Sequence, residues 1–423
     1  HGHGSFVQIP ADEPRKTQLD SIKMSFTALI EKIPVPLFLG SNAWVVSPEK
    51  SKSGKVLFCN DAHIQYAQPA IWWEAHIECP NFSFYGNHLA GFPFALIGHT
   101  QNHAWGLTMF ENDDMDFYTE KIEGNMVYHK GALTKLLTRT EAIKVKEQEE
   151  PVTLTITETP HGPLMNEVGE HFGESPISMF WTYCHLPNNA IDLAYGLSHS
   201  KNMDAFEENL AQHNAPGLNF MYGDVEGNIA WWATAKLPER PKHVDSKRFL
   251  NGATGNDDIL GYYPFAENPH SINPKSGFVY SANNQPSTIL DSMSIPGYYY
   301  AGARGQVISE CLGKDEKFDT DDMKELLLDS KGPFHQRNMQ TLMKYMSPET
   351  EVGNSMKKQM IEWDGSHEKA MVEPTFYYAF QYIFLRNVMQ DELGEDEFKS
   401  FLQTFVYMKT YHVLAQEDSS VWW

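Results

Sequence analysis

Ser41 follows Gly40 and opens the run Ser41-Asn42-Ala43-Trp44, and His63 closes the run Asn60-Asp61-Ala62-His63. A serine beside a histidine suggests nucleophilic chemistry, because a serine hydroxyl is a poor nucleophile near neutral pH and needs a base. Leu37 to Leu39 and Val45-Val46 read as extended chain around Gly40, which lets the backbone turn tightly. Ser47 to Gly54 is rich in Ser, Pro and Gly, and Val56 to Cys59 reads as the return strand. Such a hairpin carries His63 back toward Ser41, which reads as a latent nucleophile. A Gly-Ser pair before a strand also describes an ordinary turn, and His63 also fits a strand-end loop. A second cluster, Glu111, Asp113, Asp114 and Asp116, offers the oxygen ligands that calcium takes, without the spacing of an EF-hand. A solvated acidic turn is the other reading. His99 and His103 with that loop could make a metallohydrolase, but their spacing fits no standard zinc motif.

The elements that must hold these groups follow from periodicity. Leu19, Ile22, Phe26, Leu29, Ile30 and Ile33 recur at helical spacing, and Pro34 ends the run. From Val45 to Tyr118 the chain reads as β-rich, with Phe94 to Ile97 as a short buried strand. Alternating Val, Thr and Ile at 152–157 predicts a half-solvated sheet. Thr159-Pro160-His161-Gly162-Pro163 is a turn in which His161 is structural. A helix starts near Asp204, strand returns at 219–232, and 237–287 is loop-rich. Trp231, Trp232, Tyr262, Tyr263, Phe265 and Tyr298 to Tyr300 are core aromatics or the wall of an apolar pocket. From Thr320 onward the pattern is helical, including Thr375 to Val388.

The 423 residues can bury a large core, and 41% hydrophobic with 13% aromatic content excludes a disordered chain. A formal charge of −22 disfavours nucleic acid and anionic membrane surfaces as partners. No stretch reaches the apolar length needed to span a bilayer. Cys59, Cys79, Cys184 and Cys311 form no CxxC pair, so buried free thiols are expected, with one bridge possible in an oxidising compartment. His1-Gly2-His3-Gly4-Ser5 has the composition of an expression-tag remnant.

Gly40-Ser41-Asn42-Ala43-Trp44, Asn60-Asp61-Ala62-His63, Trp105-Gly106-Leu107-Thr108, Asp113-Asp114-Met115-Asp116, Asn219-Phe220-Met221-Tyr222-Gly223-Asp224 and Glu362-Trp363-Asp364-Gly365 together resemble the penicillin acylase family, in its order and near its spacing. The resemblance covers most of the chain from about Leu37. It implies an α+β fold, the four-layer αββα sandwich of N-terminal-nucleophile hydrolases, with added helices. It implies residues 6–40 as the end of a spacer, 41–310 as the sandwich and 311–423 as a helical part of the same large chain. The activity it implies is hydrolysis of N-acyl amides of penicillin, cephalosporin or acyl-homoserine-lactone type, in a secreted or periplasmic protein. A precursor would cut itself between Gly40 and Ser41, freeing an α-amine to act as the base for the Ser41 hydroxyl.

By the same resemblance, His63 holds that amine. The Met109 N–H and the Asn219 carboxamide bind the oxyanion, with Arg240 orienting Asn219. Asp113, the Met115 carbonyl and Asp116 hold one structural calcium. Gly223 stands where the family usually has Ala. The family's upstream small chain, which lines part of the pocket and adds a calcium ligand, has no counterpart here, and family sequences continue past Val421-Trp422-Trp423. A fragment of a larger molecule is therefore expected. A non-catalytic, calcium-stabilised secreted binding protein on the same scaffold is the alternative.

Overall fold

The computed structural model describes residues 38–64, 66–167, 175–287, 293–300, 302–404 and 406–415. The helix expected before Pro34 lies outside them. In chain order, the strands that build the site are β1 (Phe38–Val46), β2 (Leu57–Ile64), β3 (Trp72–Cys79), β4 (Phe82–Leu89), β5 (Ile97–Thr100), β6 (His103–Met109), β7 (Met115–Thr119), β8 (Ile177–Trp181), β9 (Leu218–Asp224), β10 (Ile229–Thr234), β11 (His270–Ile272) and β12 (Phe278–Ser281). Four helices pack on them: α1 (Ala190–His199), α2 (Met203–Leu210), α3 (Ala303–Leu312) and α4 (Thr320–Leu328).

The hairpin read from the sequence is present. β1 and β2 pair antiparallel, with Gly40 opposite His63 and Ser41 opposite Ala62. β1 is an inner strand, because β12 pairs with its other side and sets Ala43 opposite Ser281. A second sheet has seven strands in the order β11, β10, β9, β6, β5, β4, β3.

Strand alternation decides the layering. Ala43 and Val45 point inward and pack with Met221, Ile229, Trp231 and Ala233 of the larger sheet. Trp44 and Val46 point outward onto Ile308, Leu312 and Met323 of α3 and α4. The outer face of the larger sheet, with Leu107, Phe220 and Trp232, is covered by Leu193 and Leu197 of α1 and Phe206 and Leu210 of α2. Each fully buried Val, Leu, Ile, Phe or Met among them stabilises by roughly 1.5–3 kcal/mol. The order helix, sheet, sheet, helix is the expected four-layer sandwich.

Local chemistry sets the helix ends. The Asn202 side chain accepts from the Ala205 N–H, so α2 begins at Met203, one residue before the expected start. Asp319 and Asp322 form a capping box on α4. The helix read over 375–388 runs longer, Glu373–Leu393, and stops at Gly394, whose φ of +83° suits glycine. With its neighbours it builds a separate core of Met339, Trp363, Tyr377, Leu385, Phe398 and Tyr411. The strand expected at 94–97 lies later, at Ile97–Thr100. Ahead of it, the Ala95 carbonyl accepts from the Trp105 indole rather than from a strand. All four cysteines are free, but Cys79 and Cys184 are exposed, contrary to the expected burial.

His161 is structural, as read. Its Nδ1 lies 2.8 Å from Glu120 and its Nε2 3.0 Å from Asp258, with Tyr118 stacked on the ring. His129 bonds the other Asp258 oxygen at 2.9 Å, and the Lys130 ammonium is 3.2 Å away. The nitrogen and oxygen atoms of His129, His161 and Asp258 are close enough for a metal, within 4.8 Å of one another, yet each carboxylate oxygen already takes an imidazole. Burial by itself lowers the His161 pKa, but the bonds to Glu120 and Asp258 outweigh it and raise the pKa above 6.5. Burial likewise raises Glu120 and Asp258, and their bonds to His161 outweigh it and lower both. The imidazolium therefore stabilises the fold below pH 6.5 and loses that contribution as pH rises through its folded pKa. The carboxylates stabilise above their ordinary values, 4.5 and 3.8, and lose it as pH falls through their folded ones. The cluster contributes most between about pH 4.5 and 6.5. Replacing His161 with alanine should lower the melting temperature most inside that window and progressively less as pH rises above it or falls below it.

Candidate active site

β1 directs Ser41 inward, on the same face as Ala43 and Val45, where it is 3% exposed. One carboxamide brackets it. The Ser41 N–H donates to Asn283 Oδ1 at 2.7 Å, and Asn283 Nδ2 donates to Ser41 Oγ at 3.1 Å. Asn283 Nδ2 also donates to the Met109 carbonyl at 2.9 Å, and Oδ1 accepts a second bond from Arg304 Nη2 at 3.0 Å. All four hydrogen-bonding positions of this amide are thus used. Asn283 is fully buried, with φ of +61°, an uncommon value for a residue with a side chain. The chain turns there just past the end of β12. Tyr300 N–H donates to the Asn283 carbonyl, and Asn283 N–H donates to Ser281 Oγ.

Arg304, at the start of α3, holds Ser41 from the other side. Its Nη1 donates to the Ser41 carbonyl at 2.9 Å and to Asn42 Oδ1, and its guanidinium lies over the Tyr300 ring. Asn60 completes the wall, accepting from the Leu107 N–H and donating to the Leu107 and Asn42 carbonyls. Phe110 N–H bonds Gly217 O, which puts Phe110 and Thr108 on the ladder side facing β9. By alternation the Met109 N–H and carbonyl point the other way, as those of Leu107 do.

His63 sits beside Gly40 rather than on the Ser41 nitrogen. Its Nε2 is 2.8 Å from Asp61 and 3.3 Å from the Asn42 amide. Bonding to His63, more than burial can offset, lowers the Asp61 pKa. Asn219 does not bond Ser41 in this structure, and Arg240 does not orient Asn219. Asn219 donates to Thr108, Ser281 and the Met109 carbonyl, and Arg240 is turned onto Asp116. The amide and guanidinium that do reach Ser41 are Asn283 and Arg304. Two segments each carry an Asn near a strand end; sequence context points to Asn219, whereas the one in contact with Ser41 is Asn283. The sequence signal at that position is an Asn-Asn pair leaving a strand, Ser281-Ala282-Asn283-Asn284, where a left-handed turn suits asparagine.

The acidic loop is buried, contrary to the reading as a solvated turn. Burial raises Asp113, Asp114 and Asp116, and Asp114 reaches about 6. Arg240 Nε bonds both Asp116 oxygens, at 3.1 and 2.9 Å, and Nη2 bonds the Asp113 carbonyl. Ser246 Oγ donates to Asp113 Oδ2 at 2.8 Å. One guanidinium thus faces two buried carboxyls, with the half-buried Asp114 beside them. The surplus of oxygen ligands and negative charge fits a hard divalent cation, although Arg240 shares Asp116 with it. The histidines of the metallohydrolase reading are elsewhere engaged: His103 donates to the Leu197 carbonyl inside the helix-covered face, and His99 bonds the Thr100 carbonyl.

Two facing sheets between helix layers, with a serine at the inner edge of the smaller sheet, define the architecture of N-terminal-nucleophile hydrolases. A solved structure, a thermostable penicillin G acylase from Alcaligenes faecalis, shares it with a TM-score of 0.74 at 21% identity, over 84% of this chain and 66% of that one. The sequence matches the family description Penicillin amidase over residues 6–423, and the chain belongs to that family. It is 26% identical over 414 residues to acyl-homoserine lactone acylase QuiP of Pseudomonas aeruginosa, covering 90% of this chain and 48% of the relative. It is 26% identical over 269 residues to penicillin G acylase of Escherichia coli, covering 62% and 31%. The chain spans about half the length of the first of these relatives. Among the described residues, no helix is long and apolar enough to cross a membrane.

Proposed function

We propose that this chain carries the nucleophile of an amidohydrolase that cleaves N-acyl amides through an ester on Ser41, after a self-cut between Gly40 and Ser41. The observation that carries the reading is the Asn283 carboxamide, which holds the Ser41 nitrogen and hydroxyl at once. In the uncut chain that nitrogen is an amide and cannot act as a base. Attack of Ser41 Oγ on the Gly40 carbonyl carbon moves the acyl group from nitrogen to oxygen. Water then splits the ester, leaving a Gly40 carboxylate and a free Ser41 amine. An α-amine titrates near 7.7–8.0, so roughly a tenth is neutral at pH 7 and able to take the hydroxyl proton. Attack on a substrate amide places negative charge on its oxygen, toward which the Asn283 Nδ2 hydrogen would turn as it leaves Ser41 Oγ, together with the Met109 N–H. The amine leaves with a proton, and water releases the acid.

Relatives named for acyl-homoserine lactones and penicillin G support an N-acyl amide substrate. An upstream chain of the same precursor as pocket partner, and export from the cytoplasm, belong to the same proposal. The test is N-terminal sequencing of the purified protein. A chain beginning Ser41-Asn42-Ala43-Trp44 is expected, labelled at that residue by a serine-directed sulfonyl fluoride. An uncut, unlabelled protein favours the alternative, a non-catalytic binding protein.

Gly40 should be sensitive. Its φ is +139°, and an added Cβ would sit 3.1 Å from Arg304 Nη2 and 3.3 Å from Asn283 Oδ1. Replacing Gly40 with alanine should slow the self-cut by about tenfold or more, from backbone strain alone, as followed by intact-mass time courses.

Calcium is part of the proposal. Asp113, the Met115 carbonyl and Asp116 would hold it, and its charge would offset the surplus of buried carboxylate. Stripping the protein with a chelator should lower the melting temperature. Calcium should restore it, and Asp113→Asn should abolish the difference.

A further inference from the structure

We propose that Asn219 is a positioning residue that keeps Asn283 on the Ser41 hydroxyl without touching Ser41 itself. The inference rests on the proposed role of Ser41. Asn219 lies in β9 opposite Thr108, points between the two sheets and is 2% exposed. Its Oδ1 accepts from the Trp231 indole N–H at 2.9 Å. Its Nδ2 faces three acceptors: Thr108 Oγ1 at 3.0 Å, the Met109 carbonyl at 3.1 Å and Ser281 Oγ at 3.1 Å. Thr108 and Ser281 bond each other at 2.8 Å, which closes the ring.

Two of those acceptors are the supports of Asn283. The Met109 carbonyl takes a bond from Asn283 Nδ2, and Ser281 Oγ takes one from the Asn283 N–H. Asn219 is therefore one bond removed from both anchors of the amide that brackets the nucleophile. A carbonyl oxygen has two lone pairs, and Met109 divides them between Asn219 and Asn283. With Asn219 gone, the Met109 peptide is free to tilt and draw the Asn283 amino group toward itself, away from Ser41 Oγ. The neighbours of Asn219 on the same inner face, Met221 and Trp231, are apolar, so packing alone would accept a hydrocarbon there. Burying an amide is unfavourable unless its bonds are made, and here two of them go to the supports of Asn283.

The test uses the processed enzyme and an N-acyl-4-nitroaniline. Asn219→Ala is expected to lower kcat by about 10–100-fold, the size of effect found when the support of a directly acting group is removed, with KM changed less than about threefold. Asn219→Asp keeps the shape and covers the case in which the alanine variant does not fold. Its neutral acid can donate one bond to Met109 or Ser281 and its carboxylate none. The ratio of its kcat to that of the wild type should therefore rise as pH is lowered, which a merely structural loss would not produce. Wild-type kcat in Asn219→Ala, or a pH-independent ratio in Asn219→Asp, overturns the inference while the active wild type upholds the role of Ser41. A wild type that neither cuts nor hydrolyses overturns that role, and the inference with it.

Discussion

A chain carrying Ser41→Ala stays in one piece across residues 40 and 41 and hydrolyses N-acyl amides at the background rate. The expected loss is on the order of 10⁶ in kcat, the cost of deleting a serine nucleophile outright. Two separate events fail together. The self-cut lacks its attacking oxygen, so the α-amine base is never made, and the amide reaction lacks the atom that forms the ester. Folding should survive, because the lost hydroxyl makes one bond, to Asn283, while β1 stays paired on both sides. Intact mass reports the cut, release of 4-nitroaniline reports hydrolysis, and thermal melting reports the fold. A Ser41→Ala chain that still appears as two pieces would mean that another protease makes the cut. Undiminished hydrolysis by that chain would mean that another residue is the nucleophile.

The second large effect belongs to Asn283. Asn283→Ala removes the donor closest to the reacting oxygen and should lower kcat by about 10²–10³-fold, as expected for one oxyanion donor. It also takes one bond from the Arg304 guanidinium and one from the Met109 carbonyl, both of which keep other partners, at a stability cost of about 0.5–1.5 kcal/mol each. The two effects separate in a Michaelis analysis below the melting transition: the loss should appear in kcat, with little change in KM. Asn219→Ala acts through Asn283, so the double variant should be little worse than Asn283→Ala alone.

Much of this was legible in the chain. The hairpin Phe38–Ile64 announced itself through turn chemistry between two apolar runs, because a hairpin is a local object. The layers were legible only through family resemblance. β1 joins β12 across more than two hundred residues, and no local pattern encodes that pairing. The same distance hid Asn283 and Arg304. Both come from the far end of the sandwich, and Arg304 begins a helix with no motif of its own. Asn219 and Arg240 sit in a denser, more recognisable run and were read in their place. The acidic loop was legible as ligand-rich but not as buried, since the residues that bond it, Arg240, Ser246 and Pro296, come from far along the chain.

The placement of β1 inside its sheet has a consequence for a chain cut before Ser41. A fresh chain end is ordinarily the first part of a protein to fray. Here the new end would begin two residues before the stretch Ala43–Val46, which is laddered on both flanks. The amino group and hydroxyl would thus ride on the stiffest ribbon available, so heat should part the two sheets before that terminus wanders.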